Sequence, residues 1–272
     1  MYKIIYHPLG LKFVEFYNNN DFHVILSNYG ASIYQIDQKD YRGILETVTL
    51  TPLMNDYYKN PKYMGLTVGR VAGRIENANF KIGNMTYTLY PNEYDNLLHS
   101  GYNTLAYKTF DYTIDDFEDK TVVKYSISVK DLEDGFPGDL SLNVIYTLYK
   151  NEDKIDLDYQ AISSKDTLLS LTNHSFFNLS GNLKTDILKH KLIINKDKVG
   201  EFENHSILSK IVDIPEEFDF RIEKEIGTDM ENENVQRITL GYDHYFIGND
   251  DTYLSLYDPI SKRNLEIETD FH

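Results

Sequence analysis

Lys154-Ile155-Asp156-Leu157-Asp158-Tyr159-Gln160-Ala161 alternates polar and apolar side chains at every step. Successive side chains of an extended chain point to opposite faces, so this period of two predicts a strand with one face in a core and one in water. The same period recurs at Leu142, Val144, Tyr146 and Leu148, at Phe22, Val24 and Leu26, and near the end at Leu265 and Ile267. Phe80-Lys81-Ile82-Gly83-Asn84-Met85-Thr86-Tyr87 reads as two strand arms around a Gly-Asn turn. Helical pattern is confined to short stretches near Thr51–Lys59 and Asp213–Phe218. With 23 Tyr, 14 Phe and no Trp, the aromatic enrichment also favours strands. No repeat, low-complexity tract or Pro/Ser-rich linker marks a boundary. The expectation is therefore an all-β chain, residues 1–272 forming one large antiparallel β-sandwich.

The 272 residues carry 43 acidic against 27 basic side chains, a formal net charge of -16, with no Lys/Arg stripe. A phosphate backbone would be repelled by this surface, so no nucleic-acid and no membrane partner is expected, and a neutral small molecule is. Cysteine is absent, which removes disulfides, thiol nucleophiles and Cys-ligated zinc together. Met1-Tyr2-Lys3-Ile4-Ile5-Tyr6-His7-Pro8 lacks the basic-then-apolar run of a secretory signal, and a cytoplasmic location is expected.

The chemistry then falls on the eight histidines. His7, His23, His190, His205 and His272 have ordinary neighbours and read as surface or packed residues. His174 sits in Leu171-Thr172-Asn173-His174-Ser175-Phe176-Phe177-Asn178-Leu179, His99 in Asn96-Leu97-Leu98-His99-Ser100-Gly101, and His244 in Gly241-Tyr242-Asp243-His244-Tyr245. None forms an HxH or HxxxH pair, which argues against a metal centre. His, Asn, Asp and Arg beside aromatics is the chemistry that grips a polyhydroxylated ring. The polar groups exchange paired hydrogen bonds with hydroxyls, and flat rings cover the C–H face.

The motifs resemble those of the aldose 1-epimerase (galactose mutarotase) family. Gly69-Arg70-Val71-Ala72-Gly73-Arg74-Ile75 is similar to the family's GRxANRI, Asn96 to Gly101 to NxLHGG, and Asp134-Gly135-Phe136-Pro137-Gly138 to DGxxGYPG. Asn173 to Leu179 is similar to NHSYFNL and Tyr242-Asp243-His244 to YDH, all in family order. The resemblance implies a mutarotase-like sandwich acting on monosaccharides such as galactose or glucose, with no cofactor. It implies His174 as the general acid at the ring oxygen and His99 as a second catalytic histidine. Arg70, Asn96 and Asp243 become the substrate-binding residues, and His99, His174, Asp243 and Arg70 are expected to converge on one open concave face. Two positions depart from the pattern: Gly73 stands where the family has Asn, and Ser100 where LHGG has Gly. The resemblance further implies a C-terminal segment that carries the general-base glutamate and is expected to be missing after Phe271-His272. Glu266 and Glu268 alternate with Leu265 and Ile267 and read as a solvated face.

Three other readings compete. A carbohydrate-binding or sensing protein could keep the pocket without turnover. A sugar-phosphate epimerase would need a phosphate clamp, for which only Arg70 and Arg74 are well placed. A glycoside hydrolase would need two carboxylates flanking one bond.

Overall fold

The computed structural model describes residues 1–203, 206–248 and 252–270. His205 and His272 lie outside the described residues. The chain forms two compact units: Met1–Gln38 with Thr49–Phe177, and Lys39–Val48 with Asn178–His272.

The first unit is built on two antiparallel meanders. Tyr2–Tyr6, Lys12–Tyr17, His23–Ser27 and Ser32–Lys39 pair in chain order, in the register Tyr2↔Phe16, Phe16↔Val24 and Val24↔Ile36. Asp111–Asp116, Lys120–Val129, Leu140–Tyr149 and Ile155–Ser163 do the same, with Val129↔Leu140 and Tyr146↔Leu157 in register. Period two is explicit in Leu140–Tyr149. Leu140, Leu142, Val144, Tyr146 and Leu148 are each at most 1% exposed, while the residues between them reach solvent. Burying each Leu or Val side chain of this row contributes about 1.5–3 kcal/mol. The sheets meet where the Tyr146 hydroxyl donates to the Ala31 carbonyl at 2.8 Å and where Lys12 Nζ lies 5.3 Å from the Tyr112 ring centre.

The abundance of tyrosine has a structural outlet. Phe13, Tyr29, Tyr34 and Tyr57 pack as edge-to-face or tilted pairs with centroids 5.0 to 6.0 Å apart. The fully buried Tyr57 hydroxyl shares a 2.5 Å hydrogen bond with Ser32 Oγ, so its polar end is not orphaned. The expected Gly-Asn hairpin is present: Asn79–Ile82 pairs with Met85–Thr88, Ile82 opposite Met85, and Gly83 takes φ +58°.

In the second unit Lys191–Ile194 pairs with both Lys224–Glu225 and Thr252–Tyr257, and the latter with Asn264–Thr269. Glu266 and Glu268 are exposed on that last strand, but so is Ile267 between them, so the alternation in sequence is not one of burial there. Lys198–Glu203 pairs with Ile207–Asp213 and Phe246–Ile247 over a small core of Val199, Phe218 and Val235. The stretches read as helical form single 3-10 turns, Met54–Asp56 and Glu216–Phe218. Among the described residues the only α-helix is Glu233–Gln236, capped where Asn232 Oδ1 accepts the Asn234 N–H at 2.9 Å. No described helix is long and apolar enough to cross a membrane.

Candidate active site

One segment, residues 67–75, brings two histidine motifs together. Thr67–Val68 pairs with Thr172–Asn173, which sets His174 beside its start. Arg74–Ile75 pairs with Leu97–Leu98, which sets His99 beside its end. Each backbone is then pinned. His174 donates its N–H to the Leu66 carbonyl at 2.9 Å and accepts the Gly65 N–H at 3.0 Å. Beside it the Asn173 amide donates to the Gly65 carbonyl at 3.0 Å and accepts from Ser175 Oγ at 2.6 Å. His99 and Ser100 both take left-handed φ, +52° and +65°, which costs on the order of 1 kcal/mol per residue for a side chain with Cβ. Ser100 Oγ holds that bend by accepting the Val71 N–H at 2.8 Å and donating to the Val71 carbonyl at 3.1 Å.

The imidazoles end 5.1 Å apart between centroids and perpendicular, at 88°. Tyr63 lies edge-on to His99 at 4.8 Å, and Phe176 lies 5.2 Å from His174. Both histidines are half-buried, so the pair is walled by rings yet open to solvent on one side. His99 has a defined protonation state. Burial, reinforced by His174 and the Arg74 cation, pushes its pKa down to about 3, so the ring is neutral at pH 7. Its Nδ1 accepts the Gly73 N–H at 3.1 Å, which leaves the single ring proton on Nε2. His99 is thus a neutral Nε2–H donor.

Two residues expected to touch substrate are committed to the protein interior. Arg70 is fully buried; its Nε donates to Asp134 Oδ2 at 2.8 Å, Nη1 to the Pro137 carbonyl at 2.9 Å and to Thr167 Oγ1 at 3.2 Å, and Nη2 to the Gly138 carbonyl at 3.0 Å. It clamps the Asp134-Gly135-Phe136-Pro137-Gly138 loop. Burial pushes the Asp134 carboxyl up, and the adjacent guanidinium counters it. Asn96 is 5% exposed and its Oδ1 accepts the Asn77 N–H at 3.0 Å, fixing a turn whose Asn77 has φ +50°. Asp243 belongs to the second unit and is exposed; its N–H donates to His244 Nδ1 at 3.3 Å, and the His244 ring stacks on Phe202 at 5.0 Å.

Two residues near the site were not singled out by sequence, Tyr63 and Glu93, while Arg74, read there only as part of a possible phosphate clamp, is the cation beside His99. Arg74 is held by Glu93 through Nε–Oε2 at 2.5 Å and Nη2–Oε1 at 2.9 Å, with both side chains about one fifth to one quarter exposed. Its charge acts on His99, whereas Arg70, four residues earlier in the same motif, faces the core. The pairing Leu98↔Arg74 decides which of the two guanidiniums neighbours His99.

The aldose 1-epimerase family model matches residues 12–272. The chain belongs to the aldose 1-epimerase family. It is 31% identical over 262 residues to the Haemophilus influenzae aldose 1-epimerase, covering 93% of this chain and 74% of that one. It is 32% identical over 228 residues to the mouse galactose mutarotase, covering 82% of this chain and 63% of the relative. The chain thus spans between three fifths and three quarters of the length of these two family members. The crystal structure of galactose 1-epimerase from Lactobacillus acidophilus superposes with TM-score 0.83 at 26% identity, covering 95% of this chain and 77% of that chain. The Caenorhabditis elegans aldose epimerase homologue gives 0.81 at 24% identity, over 98% and 78%. The antiparallel all-β fold is that of the aldose 1-epimerases.

Proposed function

We propose that this aldose 1-epimerase family chain interconverts the α and β anomers of free aldohexoses, with His174 as general acid at the ring oxygen. The observation that carries the reading is the perpendicular pair of half-buried imidazoles, one of them fixed as a neutral hydrogen-bond donor. Mutarotation breaks the C1–O5 bond as the C1 hydroxyl gives its proton to a general base, the role that the family resemblance assigns to a glutamate, and becomes a carbonyl. The bonding pair goes to O5, which must gain a proton. After rotation about C1–C2 the C1–O5 bond re-forms on the other face of the carbonyl, O5 giving its proton back to the acid and the new C1 hydroxyl taking one from the base. The His174 imidazole can give and retake the O5 proton, whereas the neutral Nε2–H of His99 can steady a sugar oxygen without competing for it. Arg74 supplies a cation for a ring hydroxyl, and Phe176 supplies a flat wall. Arg70 and Asn96 serve by shaping the loops.

The test is polarimetry on freshly dissolved α-D-galactose and α-D-glucose beside calorimetric titration with the equilibrated sugars. Acceleration by the chain with micromolar to millimolar KM supports the reading. Sugar binding without acceleration would replace it by a carbohydrate-binding role.

A further inference from the structure

We propose that Tyr63 is the positioning residue of this site, an aromatic wedge that sets both imidazoles at once. The inference rests on the reading of His99 and His174 as the reacting pair. Three ring contacts converge on Tyr63: His99 at 4.8 Å and 68°, His174 at 6.1 Å and 41°, and Tyr107, stacked behind it at 5.2 Å and 16°. Backed by Tyr107, the ring cannot retreat from the histidines. Tyr63 is 8% exposed, so what it presents to the site is a ring face and edge rather than a solvated hydroxyl.

The turn carrying Tyr63 also carries the backbone anchors of His174. The buried Asn60 side chain closes it from both sides, accepting the Met64 N–H and donating to the Met64 carbonyl, each at 2.9 Å. Tyr63 donates its N–H to the Asn60 carbonyl and accepts the Leu66 N–H, and the next two groups in the turn, the Gly65 N–H and the Leu66 carbonyl, bond to His174. Ring and backbone of this one turn therefore fix the same histidine. At this corner Tyr63 has φ +55°, a conformation that Gly or Asn adopts more cheaply. A residue chosen only to turn the chain would not be a tyrosine. A large ring kept in a strained backbone conformation beside two half-buried imidazoles is what a site holding its geometry against relaxation requires.

The test compares Tyr63→Phe, Tyr63→Met and Tyr63→Leu in the full chain, with thermal unfolding to establish that each folds. Met fills a similar volume with a flexible chain, and Leu provides a second ringless variant should Met fail to fold. Two readouts are taken: mutarotation kinetics, and the pH titration of the His99 ring by 15N NMR. His174, Arg74 and Tyr63 face His99, so loss of the covering ring should raise the pH at which it takes up a proton. Tyr63→Phe is expected to match wild type in both readouts. The ringless variants should lose about a hundredfold in kcat with a smaller change in KM, and shift the His99 titration upward. Ringless variants with wild-type titration and turnover would overturn the proposal, as would a Phe variant that fails as they do. If the wild-type chain shows no mutarotation, the proposed function falls by that result, while the His99 titration alone still decides the role of Tyr63.

Discussion

Arg70 and Arg74 differ by four positions in one motif and have opposite fates. Arg70 is enclosed with Asp134, so replacing it by Met strands a buried carboxylate and should cost about 3–5 kcal/mol in denaturant unfolding. Replacing Arg74 by Met should cost about 1 kcal/mol in stability yet raise KM about tenfold, because its partner Glu93 is partly exposed while the proposed substrate contact is lost. A second prediction concerns His99. Its folded pKa lies below its unfolded value of about 6.5, so the unfolded chain binds the extra proton between those limits. The stability linked to neutral His99 is therefore complete above about pH 6.5 and is lost as pH falls towards about 3. It amounts to a few kcal/mol at most. Unfolding curves between these limits should show this slope in wild type and a shallower one in His99→Gln. The sequence made His99 and His174 legible through their motifs, but not the division of labour between the arginines. That division depends on the register Leu98↔Arg74, a long-range pairing that no local pattern encodes.

At the scale of elements, the site depends on close backbone approach in the turn before Thr67–Val68. Gly65 has φ +74°, and a Cβ there would sit 2.0 Å from the Ile33 carbonyl oxygen. Its N–H holds the His174 carbonyl and its own carbonyl accepts from Ile33 and Asn173. Gly65→Ala should destabilise by more than about 2 kcal/mol and abolish turnover at temperatures where it remains folded, although residue 65 touches neither imidazole ring. Circular dichroism melting with polarimetry on the folded fraction checks both parts. The strands themselves were readable because period two survives wherever one sheet face is buried, as in Leu142, Val144, Tyr146 and Leu148. The Glu233–Gln236 helix was not readable, since four residues are too few to express a 3.6-residue period. The stretches at 51–59 and 213–218 that read as helical hold only single 3-10 turns.

At the scale of the whole molecule, the chain passes between its two units after residues 38, 48 and 177, so no contiguous linker exists for composition to reveal. The net charge of -16 bears directly on substrate class. A neutral sugar should show a KM that changes by less than about twofold as salt rises from about 0.01 to about 1 M, whereas a sugar phosphate would bind better as screening weakens the acidic field. Stopped polarimetric assays across that range separate the two. The central claim, that His174 moves the ring-oxygen proton, is tested most directly by the mutarotation rate of α-D-galactose with wild type and His174→Asn, the variant's fold being verified by its melting curve. A loss of kcat of at least about a hundredfold, with sugar still bound, is the predicted result. A His174→Asn chain turning over at close to the wild-type rate would contradict it.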